Sequence, residues 1–122
     1  MTLTREEILA MEPGRLLEAK VAELVMGLDM VEGQLPHLPR YFLSDYEKTI
    51  HRDVPLYSSD ISAAWEVVEH MKSKNWEFII ASEDEKIDVT FYWDVHRMEG
   101  AVFVGTAPQA ICKAALLAVL NL

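Results

Sequence analysis

Cysteine is almost missing from this chain: Cys112 is the only one among 122 residues, so no internal disulfide can form. A lone thiol suits a reducing compartment, and a cytoplasmic location is expected. Basic side chains are scarce too, eleven against twenty acidic ones, for a formal charge of −9. Such a chain is repelled by phosphate backbones and anionic lipids, so neither nucleic acid nor membrane is an expected partner. Imitation of DNA would need carboxylates in rows along one face, and here they are scattered. No apolar run approaches the roughly 18 residues that span a bilayer. The first twenty residues lack a basic stretch followed by an apolar core, so secretion is not expected. There is no internal repeat, low-complexity tract or second-domain boundary, and one domain over 1–122 is expected.

What is present is an ordinary globular balance, 51% apolar and 25% charged residues, enough to bury a core. Thr4 and Glu7 form a T-x-x-E capping box at a helix start. Pro13-Gly14 interrupts that helix and places Pro13 in the first turn of a second one over 14–27. Leu17, Val21, Leu24 and Val25 lie along its core face at helical spacing. From 28 to 59 no period is sustained, so the region is predicted to be a long irregular loop, with a short helix near Tyr41–Thr49 at most. Tyr41, Phe42 and Tyr46 give it something to pack.

Ser59 is the predicted N-cap of a third helix, with Asp60 in its first turn and Ile61, Ala64, Trp65, Val67, Val68 and Met71 inward. Strands follow at 76–82 and 87–94, joined by the acidic turn Glu83-Asp84-Glu85. The second alternates Ile87, Val89, Phe91 and Trp93 against Asp88, Thr90, Tyr92 and Asp94. Met98-Glu99-Gly100 reads as the turn before a third strand at 101–105. Thr106 and Gln109 make a second capping box for a helix from Ala107 to Leu122, with Pro108 in its first turn. That helix is apolar nearly all round, which calls for a central position or a subunit interface, and a homo-oligomer is expected. The predicted class is α+β: a three-stranded antiparallel sheet packed with helices, in the order α-α-loop-α-β-β-β-α.

Chemistry is hard to find in these residues. His37, His51, His70 and His96 form no zinc spacing, and Asp94-x-His96 offers only two ligands. Cys112 has no neighbouring histidine to activate it. No phosphate-binding glycine motif occurs. No catalytic residue, metal or cofactor is expected. Binding has more support, because helix starts at Ser58-Ser59-Asp60 and Thr106-Ala107-Pro108 carry free amides and a positive dipole end. Tyr57 lies before one of them, where a ring can stack on a base. Trp65 and Trp93 also offer stacking surfaces, although the Trp65 spacing equally suits the core.

Three segments, MEPGRLLEAKVAELVMG (Met11–Gly27), VPLYSSDISAAWEVVEHM (Val54–Met71) and TAPQAICKAALLAVL (Thr106–Leu120), resemble the phage ABA sandwich domain, a family of small phage and prophage proteins of Bacillus and relatives. The resemblance implies helices on both sides of a small antiparallel sheet. By analogy with other small phage proteins it implies a non-enzymatic accessory protein that sequesters a nucleotide-derived immune signal, of cyclic or conjugated ADP-ribose type. Arg15, in the Gly-Arg-Leu pattern, is then a phosphate partner. Tyr57, Ser58, Ser59, Asp60, Trp65 and Thr106 line the site, with Asp60 on a ribose or adenine hydrogen bond. The alternative is a protein-binding phage factor that blocks a host enzyme through the 28–59 region or the Asp88, Thr90, Tyr92 and Asp94 face. A third reading is a hydrolase of such a signal, using His51, Asp53 or His96.

Overall fold

Thr4 starts the first helix as its motif predicts. Its Oγ1 accepts from the Glu7 amide at 3.1 Å, and the Glu7 carboxylate accepts from the Thr4 amide at 3.3 Å. The computed structural model describes residues 3–28, 30–33, 40–44, 51–94 and 97–122. In it α1 spans Arg5–Ala10 and buries Ile8. Helix α2 spans Arg15–Lys20 and runs on as a π-helix over Val21–Val25. Gly14, at φ 153°, is its N-cap, so Pro13 stands before the helix and not in its first turn.

The π segment changes which residues face inward. The Met26 amide donates to the Val21 carbonyl and the Leu28 amide to Ala22, both at 2.9 Å, wider rings than the α-helical i→i+4 bond. Gly27, at φ 67°, turns the chain out. The buried residues are Leu17, Glu18, Val21, Ala22 and Val25, while Leu24, expected inside, is exposed.

The stretch expected to be a long loop with one short helix contains three short strands instead. These are β1 (Met30–Gly33), β2 (Arg40–Ser44) and β3 (His51–Asp53), antiparallel in that order. Strands of three to five residues span at most two and a half periods of alternation, too few to stand out as a sustained pattern. The prolines that interrupt the pattern, Pro36, Pro39 and Pro55, all fall between or after the strands and so bracket them. Tyr41 and Phe42 sit in β2; residues 45–49 of the expected helix lie outside the described residues.

Helix α3 spans Ile61–Ser73, but its N-cap is Asp60, whose carboxylate accepts from the Ser62 amide at 2.9 Å. Ser59 lies one residue too early for that bond and is exposed. The buried face is Ala63, Ala64, Val67, Val68 and Met71. Ile61 and Trp65, expected inward, are 53% and 42% exposed at its margin.

A second sheet follows: β4 (Glu77–Glu83), β5 (Lys86–Asp94) and β6 (Arg97–Val104), antiparallel in that order. Asp84 takes φ 55° in the two-residue turn joining β4 to β5. Val89 and Phe91 are buried as the alternation predicts, whereas Trp93 on the same side is largely exposed. Strand β6 begins earlier than expected, so Met98, Glu99 and Gly100 are strand and not turn. Register shifts in the β5–β6 pairing offset the alternation there.

Helix α4 (Ala107–Val119) packs on β5 and β6 and also meets α1, the π segment of α2 and α3. Residues Ala110 to Ala118 are all buried. Its alanines let neighbouring elements approach closely on several sides. The chain therefore covers this helix by itself, and its apolar composition requires no second subunit.

Candidate functional site

The turn before α3 sorts its side chains by hydrogen bonding. The Tyr57 amide donates to the Pro55 carbonyl at 2.8 Å; the Ser59 and Asp60 amides both donate to the Leu56 carbonyl, at 3.2 and 2.8 Å. This curl sends Val54, Tyr57 and Ser58 inward and leaves Leu56, Ser59 and Asp60 exposed. Tyr57 is 1% exposed, so its ring is a core element and presents no face to a ligand.

Ser58 then ties the turn to the start of α2. Its hydroxyl donates to Glu18 Oε2 at 2.8 Å and accepts from the Gly14 amide at 2.9 Å, and its own amide donates to Glu18 Oε2 at 3.2 Å. The other Glu18 oxygen accepts from Arg15 Nη1 at 2.9 Å. Glu18 is fully buried, yet three donors meet its two oxygens, which is what a buried carboxylate requires. Its place in the first turn of α2 also faces the positive end of that helix.

Arg15 and Ser58 are thus brought together, but around Glu18. Sequence reasoning passed over this residue. The signal was there: Glu18 precedes Val21, Ala22 and Val25 by three, four and seven positions, on the apolar stripe, with an arginine one turn earlier. A carboxylate on a core stripe needs a partner, and Arg15 and Ser58 are that partner.

The remaining candidates lie at the outside of this turn or on other elements. Asp60 caps α3 and is exposed, with Ser59 beside it. Trp65 places its ring edge against Phe78, centroids 5.8 Å apart, and its indole N–H donates to Glu69 at 3.0 Å. Thr106 occupies the N-cap of α4 in extended conformation but makes no side-chain cap bond, so the T-x-x-Q box does not close. It shares no hydrogen bond with the Arg15–Ser58 cluster. His51 and Asp53 lie in β3, and His96 lies outside the described residues. On the strand face proposed for a protein partner, Thr90 is buried, and Asp88 and Tyr92 are partly covered.

Two further groups sit beneath this surface in α4. Burial pushes the Cys112 thiol far above its ordinary value, and the Glu18 charge adds to the shift. Lys113 is buried along its stem, and its Nζ donates to the Leu9 carbonyl, at the end of α1, at 2.8 Å. Loss of solvation lowers its pKa, against a smaller raising effect of Glu12. Among the described residues no group of three His, Cys, Asp or Glu side chains could hold a metal ion, and no helix is long and apolar enough to cross a membrane.

The same architecture occurs in a solved structure, the crystal structure of a phage protein from Bacillus cereus. That protein is 27% identical, with a TM-score of 0.70 over 88% of this chain and 92% of that one. No curated protein matches significantly. The sequence pattern of the phage ABA sandwich domain matches residues 19–116. That span takes in the π segment, both sheets, α3 and most of α4, and the chain belongs to the phage ABA sandwich domain family.

Proposed function

We propose that this phage protein counters host defence by binding and retaining a small nucleotide-derived signal, of cyclic or conjugated ADP-ribose type, without altering it. The observation that carries this reading is the Ser58 clamp. By joining the turn before α3 to Gly14 and Glu18, it holds the partly exposed Arg15 guanidinium beside the start of α3. Ser59, Asp60, Ile61 and Trp65 follow on the exposed side of this turn and of the start of α3, and this reading groups them with that cation.

In this reading Arg15 takes a phosphate and Asp60 a ribose hydroxyl. Trp65 supplies the stacking face that was expected of Tyr57. Ser58 and Tyr57 serve as scaffold. Asp60 already takes the Ser62 amide and sets a carboxylate at the start of α3, so the phosphate belongs at Arg15 and not at that helix start.

The test is a thermal-shift screen against cyclic ADP-ribose isomers, cyclic dinucleotides, NAD and ADP-ribose, with mass spectrometry of ligand recovered from denatured protein. A retained ligand stabilises the fold by about 3–4 kcal/mol at several-hundred-fold excess over its dissociation constant. Arg15→Ala and Trp65→Ala should each remove most of that shift. A shift with altered ligand would make the protein an enzyme, and no shift with any nucleotide would end this reading.

A further inference from the structure

The β4 strand ends its sheet. Its inner side pairs with β5, and its outer row of amides and carbonyls has no strand partner among the described residues. Such an edge is a template for another strand unless it is short, bulged or interrupted by proline. None of those devices is present: β4 has seven residues, its pairing with β5 runs unbroken from Glu77 to Glu83, and EFIIASE contains no proline. Ile79 and Ile80, on its two faces, are 47% and 38% exposed.

Helix α3 reaches the sheet at this strand, with Trp65 edge-on to Phe78. The open edge therefore runs beside a helix, and Trp65, Phe78 and Ile80 line the space between them. A strand added there would send alternate side chains toward those three.

The charge around the edge selects what can fill it. Glu77 on the strand, Asp84 and Glu85 in its turn, and Glu66 and Glu69 on α3 are exposed and acidic, against Lys86, Lys72 and Lys74. A second copy of the chain fits poorly. Pairing of two β4 edges brings the same excess of carboxylates to both sides of the ladder, and like charges facing across it destabilise it.

We propose that the β4 edge, flanked by α3, binds an extended segment of another protein with alternating apolar side chains and basic residues at its ends. The nucleotide reading also uses Trp65, but the strand edge, Ile80 and the class of partner lie outside that reading.

Fluorescence anisotropy with a labelled heptapeptide of alternating valine and threonine, lysine at both ends, tests it. The same peptide with glutamate ends is the control. The lysine peptide should bind at least tenfold more tightly than the glutamate one. Ile80→Glu should weaken binding tenfold or more while leaving any nucleotide-induced thermal shift intact. Circular dichroism checks that this variant folds; if it does not, Ile79→Thr, expected to weaken binding several-fold, takes its place. Equal binding of both peptides, binding of neither, or binding indifferent to the folded edge variants would overturn the proposal. So would a wild-type dimer that the edge substitution converts to monomer, since a second copy would then fill the site.

Discussion

Ser58→Ala is the substitution that most directly tests the clamp between α2 and α3. It removes the hydroxyl that donates to Glu18 Oε2 at 2.8 Å and accepts from Gly14 at 2.9 Å, and leaves both groups a partner short. A hydrogen bond to a charged group contributes about 1.5–3 kcal/mol and one to a neutral group about 0.5–1.5. The Ser58 amide still donates to Glu18, which tempers the loss, so a cost of about 3 kcal/mol is expected. Glu18→Gln is the contrast. Its remaining oxygen can keep the Ser58 donors, so the main loss is the ion pair to Arg15. That arginine is 42% exposed, and pairs screened this way contribute only about 0–1 kcal/mol. Turning an amide N–H₂ toward Arg15 adds some repulsion, for about 1–2 kcal/mol in all. In urea unfolding, Ser58→Ala should lower the midpoint by roughly 1–2 M at unchanged slope, and Glu18→Gln by about half that. Near-equal stability of Ser58→Ala and the parent would refute the clamp. A larger loss for Glu18→Gln would show that the carboxylate charge, paired with Arg15 inside α2, outweighs the serine hydroxyl at this junction.

Three other outcomes follow from side chains already placed. Asp60→Ala should cost about 1 kcal/mol because it removes the α3 cap, whereas Thr106→Ala, which loses no cap bond, should cost a few tenths at most; thermal denaturation of both variants checks the contrast. Cys112 should resist a thiol reagent at pH 8 in the folded protein and react at once in urea, because burial and the Glu18 charge disfavour its thiolate; rapid labelling of the native state would contradict the placement. The Lys113 pKa is lowered in the folded state from 10.5, so the charged form is penalised fully below the folded value and not at all above the unfolded one. Stability should therefore rise as pH climbs from the folded value toward 10.5, and Lys113→Met should lose that rise in unfolding curves compared at pH 7 and pH 10, as well as about 1–3 kcal/mol from orphaning the Leu9 carbonyl.

Much of the α-helical framework was legible because its signals are local. The Thr4–Glu7 box, the two acidic residues of the β4–β5 turn and the apolar run of α4 each declare themselves within a few residues. The misses have a common cause, which is that the deciding interaction lay elsewhere in the chain or in a change of helical pitch. Leu24 was placed inside by a 3.6-residue period that the π segment does not keep. Tyr57 looked like a turn residue until the Pro55 and Leu56 carbonyls curled its turn inward. Among the described residues the strands β1 to β3 pair only with one another, and at three to five residues each none carries an alternation long enough to read. The site residues were half legible: Arg15 and Ser58 were named for a ligand, but a carboxylate forty positions away from Ser58 fixes where both of them sit.

The central position of α4 also changes the argument for a homo-oligomer. An apolar helix lying on the surface would have to be covered by a second copy. Here β5, β6, α1, α2 and α3 cover it from within the chain. A homo-oligomer must then use surface that is still open, and the exposed apolar side chains include those of the α3 margin and the β4 edge. Both are rimmed by carboxylates in a chain of charge −9, so two copies meeting there repel one another most at low ionic strength. Self-association through these faces should therefore strengthen with salt, and a basic partner should bind more weakly as salt rises. Light scattering and peptide binding, each at about 50 and 500 mM salt, separate the two by the sign of the change.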